Sequence, residues 1–186
     1  VVLYGNRSYD DALKELCEVL AADGFLPAAA AALVGEHAFA PLLAHGRPAA
    51  ADLAAAEDFA RRTALALREI KRPQPVKVPG REPIGAYYTP LMPNGEPARF
   101  LKAKPVTDSA SCTRCGLCAA RCPMGSIPKE EPTVCSGICI KSQACIRACP
   151  AGAKSFDDAA FLAHRTMLEE NYIKRRENEF YLPKEA

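Results

Sequence analysis

Cys112-Thr-Arg-Cys115-Gly-Leu-Cys118-Ala-Ala-Arg-Cys122-Pro123 is the stretch that decides how this chain is read. Its spacing is C-x2-C-x2-C-x3-C-P. A second run follows it: Cys135-Ser-Gly-Ile-Cys139-Ile-Lys-Ser142-Gln-Ala-Cys145-Ile-Arg-Ala-Cys149-Pro150. Counted back from Pro150, the first run's spacing expects cysteines at 149, 145, 142 and 139. Position 142 is serine, and an extra cysteine stands at 135.

Nine cysteines occur in 186 residues. Only Cys17 lies outside the span from Cys112 to Cys149. A disulfide scaffold spreads its cysteines through a short secreted chain, whereas a tight local cluster reads as metal binding in a reducing compartment. The spacing suits a cubane iron–sulfur cluster, which offers four irons, each needing one thiolate. Cysteines at i, i+3 and i+6 on a tight loop reach three irons of one cube, and the fourth cysteine heads away toward another cluster. Gly116, Ala119 and Ala120 leave room for the backbone to approach. Two zinc sites are the competing reading, but zinc knuckles pair separated C-x2-C units, and no histidine lies between 112 and 150.

Over about forty-five residues this pattern resembles the bacterial two-[4Fe-4S] ferredoxins. The resemblance implies that Cys112, Cys115, Cys118 and Cys149 hold one cluster, and that Cys122, Cys139 and Cys145 hold three irons of the other. For the last iron three readings stand. Cys135 swings in, with Ser136-Gly137 expected to make its segment flexible; Ser142 ligates through an alkoxide; or the corner stays open, giving a [3Fe-4S] or labile cluster. Thiolate is the softer donor and favours Cys135. Arg114, Arg121, Lys141 and Arg147 lie beside cluster cysteines and are candidates for tuning potential or steering an acidic partner.

Outward from the cysteines the chain changes character. Residues 73–108 carry eight prolines and read as a linker with short strands at 85–88 and 99–103. Upstream, Val1–Tyr4 reads as a strand, and Ser8 with Asp11 as a capping box. Leu13, Leu16, Cys17 and Leu20 form the inner stripe of a helix stopped by Gly24. Phe25–Val34 reads as a buried strand. A second helix is expected from Pro48 to Arg72, with Leu53, Ala60, Ala64 and Leu67 inward. After the cysteines, Asp157-Asp158 open a last helix closed by Lys174-Arg175-Arg176, with Phe161, Leu168 and Tyr172 docking it.

The strand–helix–strand–helix order, with Tyr4-Gly5-Asn6-Arg7-Ser8-Tyr9, Val34-Gly35-Glu36-His37 and Gly46-Arg47-Pro48, resembles the later half of a flavodoxin-like domain. Together with the tail from Phe156 to Tyr172, the chain resembles flavodoxin–ferredoxin fusion proteins of anaerobic bacteria. The expected architecture is α/β, a partial flavodoxin-like parallel sheet with helices, plus a small α+β two-[4Fe-4S] ferredoxin-like domain and a C-terminal helix. The boundaries are 1–72 for the truncated flavodoxin-like half, 73–108 for the linker, 109–155 for the ferredoxin domain and 156–186 for the helix and tail. Tyr4-Gly5-Asn6 and Gly35-Glu36-His37 end neighbouring strands and are expected to line one crevice. The resemblance makes Tyr4, Asn6 and Arg7 candidate FMN contacts, with FMN binding only where the upstream half is present. His45 and His164 show no sequence partner and read as surface or helix-face residues.

A formal net charge of +2 gives no field to attract nucleic acid. The longest apolar run, Phe25–Val34, is broken by Pro27 and falls short of the roughly 20 residues of a spanning helix. No basic leader opens the chain, and it lacks an initiator Met, as a fragment would. The expectation is a cytoplasmic electron carrier with redox partner proteins, no nucleic acid and no membrane. The alternative is the iron–sulfur component of a flavin-dependent oxidoreductase. No paired carboxylates or nucleophile–base signature points to catalysis by this chain itself.

Overall fold

A computed structural model describes residues 1–185. The chain divides into two compact units. The first comprises Val1–His37, Pro41–Tyr88 and the chain from Tyr172 onward, and the second Ala38–Ala40 with Thr89–Asn171.

In the first unit, β1 (Val2–Tyr4), α1 (Ala12–Ala22) and β2 (Ala30–Val34) form a strand–helix–strand crossover, and β1 pairs parallel to β2 in the register Val2↔Ala32 to Tyr4↔Val34. Leu13 of α1 is fully buried on Ala30 and Ala32, with Val2, Tyr4, Tyr9, Cys17 and Tyr181 around it. Cys17 therefore serves as a small apolar side chain of the inner stripe. The helix stops in a Schellman turn: Gly24 sits at φ +86, its N–H bonds Ala21 O, and the Phe25 N–H bonds Leu20 O at 2.9 Å.

Several expectations are corrected here. The capping box is not formed, because the Asp11 carboxylate accepts hydrogen bonds from the Arg81 and Gly85 backbone N–H groups, each at 2.9 Å, and from the Arg81 side chain. Ser8 Oγ accepts instead from the Asp10 N–H. The second strand covers only its last five expected residues; Phe25 and Leu26 are exposed. The second helix, α2, spans Ala50–Glu69, and Leu53, Ala60, Ala64 and Leu67 all lie on its exposed side. Its inner face is Asp52, Ala55, Ala56, Phe59, Thr63, Ala66 and Ile70, the same 3.6-residue period turned to the other side. Alanines fill both faces of α2, so its leucines do not mark the inner one.

The first unit's third strand comes from the tail. It (Glu179–Tyr181) runs antiparallel to β2, in the register Ala30↔Tyr181, and Phe180 packs on Phe59 of α2 with ring centroids 5.1 Å apart. The sheet order is thus β1, β2, tail strand. The result is a mixed three-stranded sheet rather than the partial parallel sheet expected, and it does not define a flavodoxin-like fold.

Residues 73–88 pack with the first unit and 89–108 with the second. No strand forms at 85–88 or 99–103; isolated bridges in this stretch join Pro73 to Glu185 and Leu91 to Pro97.

The second unit has a two-stranded antiparallel ribbon, β3 (Val106–Thr107) with β4 (Lys154–Ser155), and two short helices, α3 (Leu117–Arg121) and α4 (Ala144–Arg147). The longer helix α5 (Ala159–Tyr172) follows, with the Phe161 N–H bonded to the Asp158 carboxylate at 2.8 Å; it ends before the basic triplet that was expected to close it. The tail strand is β5 in chain order. Phe161 is buried against Phe39, Phe100 and Phe156. His164 is buried on a face of α5, the helix-face alternative rather than the surface one: it stacks on Phe100 and its Nδ1 lies 2.8 Å from Leu91 O. Exposed His45 also has a partner, Glu36, at 3.3 Å. No helix among the described residues is long and apolar enough to cross a membrane.

Candidate metal centre

The two cysteine runs fold as structural twins offset by 27 residues, Cys112 to Cys139. Within that offset Cys118 matches Cys145, Cys122 matches Cys149, and Cys115 matches Ser142. The backbone repeats with the sequence. Arg114 and Lys141 both have positive φ, +56 and +58, and so do the residues that open α3 and α4, Gly116 at +74 and Gln143 at +62. Glycine takes this conformation freely, while Gln143 adopts it under strain, buried and with its Nε2 donating to Lys141 O at 3.3 Å. After each Cys-Pro the Gly two residues on, Gly125 or Gly152, also has positive φ.

The twins exchange their fourth cysteine. Cys112, Cys115, Cys118 and Cys149 line one cavity of about 300 Å³, counting the part open to solvent. Cys122, Cys135, Cys139 and Cys145 line another, of about 350 Å³, together with Ser142 and Ile127. Among the described residues, no three Cys, His, Asp or Glu side chains converge as ligands of a single metal ion. Each quartet lines a cavity rather than meeting at a point. The four sulfurs of a zinc site meet on one ion at about 2.3 Å. A wider polynuclear cluster fits the arrangement of these quartets better.

Backbone N–H groups point at the sulfurs. Ser126 donates to Cys122 Sγ and, at the twin position, Ala153 donates to Cys149 Sγ, both at 3.3 Å; Lys141 donates to Cys139 Sγ at 3.4 Å. The exposed Cys115 thiol is pulled below its ordinary pKa, first by the Leu117 N–H and then by Thr113. Its twin Ser142 spends its hydroxyl on the Ala144 N–H, at 3.4 Å. Burial pushes the Cys145 and Cys135 thiols up.

Cys135 is not on the flexible segment that Ser136-Gly137 suggested. The N–H groups of Ser136 and Gly137 both bond Ser126 O, at 2.9 and 3.3 Å, and Lys104 Nζ bonds Ser136 O at 2.9 Å. Ser126 Oγ in turn donates to Ile138 O. A side chain at 137 would stand 2.7 Å from Ser126 Oγ, so the glycine is there for close approach. Sequence reasoning missed Ser126 altogether; its position beside the second run becomes visible only when the two halves are aligned on their Cys-Pro pairs.

Of the four basic candidates, Lys141 is buried with its ammonium on Leu101 O and Cys139 O, Arg114 pairs with Glu131 at 3.2 Å, Arg147 reaches Ala38 O at 3.4 Å, and Arg121 is exposed.

The candidate flavin contacts lie in the first unit and serve its packing. Asn6 is fully buried; its amide donates to Tyr172 O at 2.6 Å and Lys174 O at 3.0 Å and accepts from the Arg176 N–H at 3.1 Å. Arg7 pairs with Asp10 and lies 3.6 Å over the Tyr88 ring. Tyr4 packs edge-on to Tyr9, and its carbonyl accepts from the Gly35 N–H at 2.9 Å. The two strand ends are neighbours, as expected, but they close on each other: a Cβ at Gly5 would stand 2.5 Å from the His37 ring.

Residues 105–127 match the 4Fe-4S binding domain family. The match takes in Cys112, Cys115, Cys118 and Cys122 and ends before Cys135. It implies a [4Fe-4S] cluster and supports an iron–sulfur, electron-transfer role. No curated protein and no solved structure matches the chain.

Proposed function

We propose that the second unit holds two [4Fe-4S] clusters, one in each cysteine cavity, and passes single electrons through them. The observation that carries this reading is the division of eight cysteines into two quartets, each lining its own cavity and each completed by a cysteine from elsewhere. Cys112, Cys115, Cys118 and Cys149 would hold one cluster, and Cys122, Cys139, Cys145 and Cys135 the other. A bound cluster of this kind takes up or releases one electron at a time. The chain's own part is to hold the thiolates apart on rigid turns and to aim N–H groups at their sulfurs. Such hydrogen bonds, with solvent exposure, set how readily an electron is accepted.

Cys135 is the better fourth donor to the second cavity. It is a thiolate source held in place by the Ser126 latch, while Ser142 is exposed and its oxygen already accepts an N–H. Flavin exchange belongs to this reading only where a complete flavodoxin-like domain presents FMN, since Asn6 spends its whole amide within the chain.

Single substitutions test the pairing. Cys118→Ala should remove the iron and acid-labile sulfide of one cluster and leave the other, and Cys145→Ala should do the converse. Either variant retaining the full wild-type iron and sulfide would contradict the assignment.

A further inference from the structure

The twin halves differ at one buried position in a way that bears on charge. Ile127 follows the first Cys-Pro pair and Lys154 follows the second, separated by the same 27-residue step that relates the cysteines. Both are 4% exposed. Ile127 packs on Cys118 and Cys145 as an apolar core residue. Lys154, in the equivalent place, is a buried cation whose Nζ has no hydrogen-bond partner among the described residues.

An unpaired ammonium in the interior is costly. A chain that needed only packing here has the apolar solution in its other half. The lysine lines the cavity of Cys112, Cys115, Cys118 and Cys149. Four thiolates around an iron–sulfur cubane leave a net negative charge, which grows by one on reduction, and cluster potential follows net charge and its surroundings.

We propose that Lys154 is the internal counter-cation of the cluster held by Cys112, Cys115, Cys118 and Cys149 and raises its reduction potential. This rests on the two-cluster reading above. The ammonium gains its missing partner when that cavity fills, and it favours the reduced, more negative state over the oxidised one. It is a tuning residue rather than a ligand.

The test uses the full chain reconstituted anaerobically with iron and sulfide, with Lys154→Ile, Lys154→Gln and Lys154→Arg beside the wild type. Lys154→Ile copies the residue that the twin position already accommodates. Iron and sulfide are counted first, and the midpoints are then read by redox titration monitored by electron paramagnetic resonance. Both neutral variants should show a lower midpoint for that cluster, by at least a tenfold fall in the one-electron reduction equilibrium, which is about 59 mV. Lys154→Arg should keep the wild-type values. If the neutral variants lose that cluster's iron while Lys154→Arg loads fully, the charge is needed to hold the cluster, which supports the same assignment. Fully loaded neutral variants with unmoved midpoints would overturn it while leaving the two-cluster reading intact. A wild-type chain that takes up no iron and sulfide would overturn both.

Discussion

Cys135 and Ser142 line the same cavity, but the thiol is half-buried on a segment latched to Ser126, whereas the hydroxyl is exposed and accepts the Ala144 N–H. Ser142 holds the place that Cys115 holds in the other half, so the second run has moved its fourth sulfur to an upstream position. Cys135→Ala should therefore lose about a quarter of the second cluster's iron, or the whole cluster, and Ser142→Ala should lose none. Iron analysis with electron paramagnetic resonance reads both. Iron loss in Ser142→Ala with none in Cys135→Ala would reverse the assignment.

The latch gives a second expectation. Gly137→Ala places a methyl against Ser126 Oγ and Cα, at 2.7 and 3.0 Å, in a segment that carries Cys135 two residues away. The variant should release iron from the second cavity faster than wild type under a chelator and leave the first unaffected. Equal release rates would mean that the segment has slack to absorb the methyl.

In the first unit the buried Arg47–Asp52 pair organises three pieces of chain. Asp52 accepts from Arg47, from the Ala49 N–H at 2.8 Å and from Asn178 at 3.0 Å, and Arg47 also reaches Arg176 O. The Arg47 side chain, ahead of these other donors, holds the Asp52 carboxyl well below the usual carboxylate range. A depressed carboxyl adds stability that is fully present above its unfolded pKa of about 4 and fades as pH falls through the lower folded value. Acid should thus weaken the unit below about pH 4. Asp52→Asn should cost about 3–5 kcal/mol at neutral pH, since it leaves Arg47 buried without its counter-charge, and should flatten the acid limb. Denaturant titrations at several pH values check both.

Asn6 satisfies two carbonyls and one N–H of the chain at 172–176. Asn6→Ala leaves these groups without partners, at about 1–3 kcal/mol for each buried group left unsatisfied. Thermal unfolding should show the loss, and limited proteolysis should cut first near 172–176. An unchanged unfolding temperature would argue that Asn6 is free for a ligand.

The cysteine spacing pointed to an iron–sulfur site, and the family match at residues 105–127 supports that much, whereas the fold was less legible. Thiolate geometry is local, and i, i+3, i+6 on a tight loop says most of what matters. The partial strand at Ala30–Val34 and the helix stop at Gly24 were legible for the same reason, because a short apolar run and a Schellman glycine act within a few residues. Alanine is what hid the inner face of α2, since Ala60 and Ala64 fit either side and Phe59 fixes the register only through Phe180, far along the chain. The tail strand was invisible because Glu179–Tyr181 carries three residues and depends on β2 for its pairing. Lys154 reads as an ordinary charge until the twin Ile127 is set beside it.

The most direct test of the central claim is the iron and acid-labile sulfide content of the anaerobically reconstituted chain, with the number of electrons it then accepts. Two clusters predict about eight irons, about eight sulfides and about two electrons per chain. Zinc bound in their place, with no labile sulfide and no reducible centre, would contradict the account.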